Sequence, residues 1–180
     1  MNDFQQVISF WFDEIDHALW FKKDSEFDRI IMSKFATLHA QAMAGELYEW
    51  RVSPLGRLAE IIVLDQFSRN MYRESPKAFL SDPLALVLAQ EAVAQGQDKL
   101  LTQTERSFLY MPYMHSESMM VHQQALTLFN QAGLESNYAF EKKHLEIIER
   151  FGRYPHRNSI LGRESTAEEI AFLMQPGSSF

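Results

Sequence analysis

The sequence predicts an all-α chain, an array of antiparallel helical hairpins with about eight or nine helices in a single domain over 1–180. Three observations carry this. Helix start and stop signals recur from end to end, apolar residues recur at three- and four-residue steps, and runs of strand-like alternation are missing. At 180 residues with 46% hydrophobic and 13% aromatic content, the chain supports one real core and is not disordered.

Asp24 or Ser25 caps a helix in which Phe27, Ile30, Ile31, Lys34, Phe35 and Leu38 recur, with Gly45 as its stop. Ser53-Pro54 starts the next, because serine offers an acceptor to the orphan amides and proline at the first position loses no hydrogen bond. That helix is expected to run to about Tyr72. Asp82-Pro83 repeats the signal, and Gly96 closes that helix. Thr102 with Glu105 forms a capping box, as does Ser165 with Glu168 ahead of a last helix from Thr166 to about Met174. Between them lie Glu117 to Ala132, stopped by Gly133, and Asn137 to Phe151, stopped by Gly152. Three alanine-rich segments ending in Gly45, Gly96 and Gly133 echo one another, which favours a tetratricopeptide-like arrangement. Their spacing is uneven, so no strict repeat period is present.

Composition excludes several functions. With no cysteine, disulfides, thiolate metal sites and a cysteine nucleophile are impossible. A formal charge of −7 argues against tracking a nucleic-acid backbone. The acids Asp3, Asp13, Glu14 and Asp16 around the first apolar stretch are unlike a secretory signal, and no apolar run approaches membrane-spanning length. A cytoplasmic protein with no membrane or nucleic-acid partner is expected. No Gly-rich phosphate loop, nucleophile elbow or HExxH motif is present.

Three segments collect the chemistry. The helix after Pro54 is apolar on most sides, yet Asp65 and Arg69 continue its buried stripe beside Asn70. These residues read either as an i, i+4 ion pair or as the polar wall of a pocket. His115 and Glu117 lie beside Pro112 at a helix junction, with Ser116 as a cap. Glu117 in a first turn is favoured by the helix dipole, while His115 suits proton transfer or anion donation. The segment Arg150 to Thr166 packs four arginines, a histidine and an asparagine around Gly152, Pro155 and Gly162. Arg150 and Arg153 suit a helix C-terminus, which leaves His156, Arg157, Asn158 and Arg163 seeking carboxylate or phosphate partners.

His144, on the stripe Phe140, His144, Ile147 and Phe151, reads as a satisfied core histidine. A metal protein could be built from Glu14-x-x-His17 and Glu141-x-x-His144, but Glu141 beside Lys142 and Lys143 reads as a solvated face, and further carboxylate ligands have no candidates. Neither a metal nor a cofactor is predicted.

The blocks LDQFSRN (64–70), MPYMHSES (111–118), RFGRYPHRN (150–158), LGRESTAEE (161–169) and PGSSF (176–180) together resemble an uncharacterised, mainly bacterial family, the domain of unknown function numbered 924. The resemblance implies an all-helical, tetratricopeptide-like fold and no established activity. It departs from the family pattern at Ser68, where proline is typical, and at Val121, His122 and Gln123, where the family is more acidic. The leading expectation is a polar pocket for a small anionic or carboxylate-bearing ligand. Its catalytic candidates are His115, His156, Asp65 and Glu117, and its ligand-binding candidates are Arg69, Asn70, Arg153, Arg157 and Asn158. An interaction module that holds a protein or peptide partner is the alternative.

Overall fold

The computed structural model describes residues 4–180, and they form an all-α protein with no strand among the described residues. Two compact units divide the chain, one of Met1–Arg73 with Lys77–Pro112 and one of Glu74–Pro76 with Tyr113–Phe180. No helix among the described residues is long and apolar enough to cross a membrane.

In the first unit, helix α1 (Gln5–Ser9) runs into a π-helical turn, Phe10–Glu14. Helix α2 (Ser25–Met43) follows, capped by the Asp24 carboxylate, which accepts from the Glu26 and Phe27 amides at 3.1 Å each. Its buried face is Phe27, Ile31, Phe35, His39 and Ala42, the stripe that a four-residue step produces. Gly45 ends it at φ 74°, where a side chain would meet the following carbonyl.

Helix α3 (Pro54–Ile62) starts where Ser53 Oγ accepts from Gly56 N at 3.0 Å. The helix expected to reach Tyr72 is not uniform. It widens into a π-helical turn at Val63–Phe67 and resumes as α4 (Ser68–Met71). Such a turn inserts a residue into the ladder and frees backbone carbonyls for other donors. Helix α5 (Asp82–Ala94) begins one residue earlier than Asp82-Pro83 suggests. Ser81 holds the cap position, and the Asp82 side chain serves Arg69 instead. Helix α6 (Gln103–Met114) has the expected box: Thr102 N donates to Glu105 Oε2 at 2.7 Å, and Glu105 N to Thr102 Oγ1 at 3.3 Å.

The core of this unit is aromatic. Trp11 meets Phe67 and Phe108 edge-on at centroid distances of 5.5 and 5.7 Å, and Phe35 lies 4.7 Å from Phe67. Edge-to-face contacts of this kind add about 0.5–1.5 kcal/mol each beyond area burial.

The second unit contains α7 (Met119–Phe129), α8 (Glu135–Phe151) and α9 (Ala167–Leu173). The turn through Gly133 joins α7 to α8 as a hairpin, and Gly152 stops α8 at φ 67°. Helix α7 begins at Met119, so Glu117 lies ahead of the helix rather than in its first turn, and the dipole account of it does not apply. The last cap also shifts by one residue. Thr166 and Glu169, not Ser165 and Glu168, form the box, with Thr166 N to Glu169 Oε2 at 2.8 Å and Glu169 N to Thr166 Oγ1 at 3.1 Å.

Candidate functional site

Asp65 and Asn70 are buried in the first unit, and Arg69 stands partly buried between them. Asp65 lies in the π-helical turn: its carboxylate accepts from Gln66 Nε2 at 2.5 Å and stands 3.3 Å from Arg69 Nη1, which donates to the Asp65 backbone carbonyl at 2.9 Å. The stronger partner of Arg69 is Asp82, joined by two parallel bonds of 2.9 and 3.0 Å. Asn70 Nδ2 donates to Asp28 Oδ1 at 2.8 Å, and Arg73 holds the same carboxylate through bonds of 2.6 and 2.7 Å. The block does contain an ion pair, but its principal acid, Asp82, lies outside the i, i+4 step.

The π-helical turn also leaves the Leu64 carbonyl open. It accepts from Ser68 Oγ at 2.7 Å and from Ser81 Oγ at 2.5 Å, and Ser68 Oγ meets His39 Nε2 at 2.7 Å. Since Ser68 gives its proton to the carbonyl, His39 is the donor in that contact. This buried hydrogen-bond network gives the Ser68 hydroxyl its partners.

In the second unit the other two sequence blocks come together. Glu117 Oε2 accepts from Arg163 Nη1 at 2.7 Å, and Oε1 accepts from Arg163 Nη2 at 2.9 Å and from the Tyr154 amide at 2.8 Å. Burial works against the Glu117 carboxylate, but these hydrogen bonds and the charge of Arg157 hold its pKa below the ordinary value. Arg153 likewise forms a fork with Glu169, at 2.7 and 2.9 Å. That hydrogen bond, reinforced by the Thr166 amide against the cost of burial, holds Glu169 down at about 2. Asn158 sits at the centre of the loop: its Nδ2 donates to Ser165 Oγ at 3.0 Å and to Glu169 Oε2 at 3.3 Å, and its Oδ1 accepts from Arg163 Nε at 2.9 Å. The loop's stiffness thus comes from two internal carboxylates as much as from its proline and glycines.

Arg157 is placed differently. Only 5% exposed, it donates from Nη2 to the His115 carbonyl at 2.9 Å, and its guanidinium lies 4.8 Å over the Tyr154 ring. His115 and His156 are partly exposed beside it. The Phe180 ring is seated against three others, at centroid distances of 3.9 Å from His144, 4.6 Å from His156 and 5.3 Å from Tyr154. His144 donates from Nδ1 to the Phe140 carbonyl at 2.8 Å, as a satisfied core histidine does. Burial, with the nearby His115, His122 and His156, pushes its pKa down to about 3, so it presents a neutral ring at pH 7.

Sequence reasoning missed a buried pair. His122 and Glu141 are both fully buried, with Nδ1 and Oε1 2.6 Å apart. Glu141 is therefore not part of a solvated face, despite the two lysines that follow it. His122 Nε2 lies 2.8 Å from the Ser116 carbonyl and 3.1 Å from Tyr154 Oη. A carbonyl only accepts, so Nε2 carries a hydrogen, and Nδ1 and Glu141 hold the next proton between them. Burial raises the Glu141 pKa against the opposing pull of His122. The available signal was the stripe Ala125, His122 and Phe129 on α7.

Among the described residues, no group of three or more His, Asp or Glu side chains is placed to hold a metal ion. Glu141 turns to His122, and His144 to a backbone carbonyl. His17 meets the Phe12 carbonyl at 2.8 Å, and Glu14 faces Lys34 at 3.8 Å. An open groove in the first unit, lined by Arg51, Arg57, Val87, Leu88 and Glu91, contains none of the residues that the sequence singles out. Acid, imidazole and guanidinium groups converge in the second unit.

Fold and site define a helical protein with a charged, histidine-rich cluster in its second unit. The chain belongs to the family described as "Bacterial protein of unknown function (DUF924)", whose model matches residues 7–177. It is similar to the solved structure of a protein of unknown function, ATU0120, from Agrobacterium tumefaciens, at 36% identity and a TM-score of 0.90, over 94% of this chain and 96% of that one. No curated protein matches.

Proposed function

We propose that this is a cytoplasmic protein whose second unit binds a small anionic or carboxylate-bearing ligand through His115, His156 and Arg157. The observation that supports this most is the seating of Arg157: a guanidinium fixed by the His115 carbonyl and the Tyr154 ring, beside two partly exposed imidazoles. A cation held in a preset orientation binds an anion with little further loss of side-chain entropy. Glu117 orients the loop by holding Arg163 and the Tyr154 amide, and Arg153 and Asn158 brace it through Glu169. Any proton transfer on the bound ligand falls to His115 or His156, the imidazoles within reach of solvent. Asp65, Arg69 and Asn70 act within the first unit and support its own packing.

A thermal-shift series with succinate, glutamate, citrate and phosphate tests this reading. At about 100 times its Kd a ligand adds about 2.7 kcal/mol to stability, which for a chain of this size is a rise in Tm of several degrees. The rise is expected with at least one of these anions in the wild type and is expected to vanish in His156→Ala and Arg157→Gln. A flat response to all four, or an equal response in both variants, would count against the assignment.

A further inference from the structure

We infer that the Phe180 ring is a built-in, displaceable occupant of a niche whose external ligand is an aryl-bearing carboxylate. This rests on the reading above and adds the class of ligand. The niche has three walls, the rings of His144 on α8 and of Tyr154 and His156 in the loop that follows. His144 is neutral at pH 7 because burial holds its pKa near 3, and Tyr154 is fully buried with its hydroxyl on the Met114 carbonyl at 2.5 Å. Two of the walls are thus uncharged and flat, a surface that favours another aromatic ring by edge and face contact. Arg157 lies over the same Tyr154 ring, and in the reading above it is the cation that takes the ligand's carboxylate.

Phe180 is 54% exposed, and Gln175, Pro176, Gly177 and Ser179 around it are exposed too. Ser178 anchors the segment through its side chain, Oγ donating to the Leu173 carbonyl at 3.1 Å. A half-exposed ring on a lightly fastened segment competes with an incoming ligand and can be released by it. The apparent affinity of the ligand falls by the fraction of time the niche is free, so a ring seated about nine-tenths of the time weakens binding about tenfold.

The test is isothermal titration of 3-phenylpropionate and of propionate into the wild-type chain and into Phe180→Ala. Removing the ring is expected to tighten 3-phenylpropionate binding about tenfold and to leave propionate unchanged. If propionate binds both proteins while 3-phenylpropionate binds them equally, Phe180 is no occupant of the site, and the anion-binding reading survives alone. If neither acid binds either protein, the anion-binding reading fails and takes this inference with it. Should Phe180→Ala not fold, Phe180→Leu, which keeps apolar bulk but not the flat ring, is read by the same outcomes.

Discussion

Replacing His122 by alanine is expected to destabilise the protein by roughly 3–5 kcal/mol, measured by urea denaturation. The change removes the one group that faces Glu141 Oε1, and Glu141 Oε2 already lacks a hydrogen-bond partner among the described residues. A fully buried carboxyl group would be left with neither water nor a donor, which costs far more than the pair contributes when intact. The substitution also opens a cavity beside the Ser116 carbonyl and the Tyr154 hydroxyl, both now held by Nε2. The double replacement His122→Leu with Glu141→Leu is expected to cost clearly less than the sum of the two single changes, a coupling of more than about 1 kcal/mol. Strict additivity would mean that the two residues do not share a proton or an environment.

Gly56→Ala is expected to cost about 3 kcal/mol, the upper range for overpacking, because the added Cβ would fall well inside contact distance of the Trp50 carbonyl oxygen. The obstacle is backbone, so no side chain can rotate away. Gly45→Ala is the useful contrast. Beyond its own chain neighbours its Cβ meets nothing within 4 Å, and the penalty is that of the left-handed backbone at φ 74°, about 1–2 kcal/mol. Matched denaturation curves should therefore rank Gly56→Ala as the more damaging. The opposite ranking would show that the turn before α3 is free to shift.

Neither of these two sites was legible in the sequence, whereas many helix starts were. Helix starts were readable wherever a side chain itself satisfies the orphan amides, as Asp24, Ser53 and Thr102 do. They were misread by one residue where two hydroxyls adjoin, as at Ser165 and Thr166, because composition does not say which one adopts the extended cap conformation. The π-helical turn at Val63–Phe67 left no mark, since its residues are as apolar and helix-compatible as those of α3. Gly56 gave no turn signal either. Its role is a close approach to Trp50, which depends on tertiary packing.

The candidate site was legible in its members more than in its pairings. Glu117 does face the arginine-rich loop, but through Arg163 and the Tyr154 amide, while Arg157 takes the His115 carbonyl. Spacing along a loop does not fix which guanidinium reaches which carboxylate. His122 and Glu141 are not legible as a pair because they lie on different helices, and the α7–α8 hairpin buries them against one another. The cluster in the second unit thus divides into a braced frame (Glu117, Arg153, Asn158, Arg163 and Glu169) and two partly exposed imidazoles, His115 and His156, beside the buried guanidinium of Arg157.

That division is tested most directly by NMR titration of the histidine side chains with and without succinate. An anion bound beside an imidazole favours its charged form. The account predicts that added succinate raises the midpoints of His156 and His115, that Arg157→Gln abolishes the rise, and that buried His144 still titrates near 3. Midpoints of His115 and His156 that do not move with succinate would contradict the assignment of this cluster as an anion site.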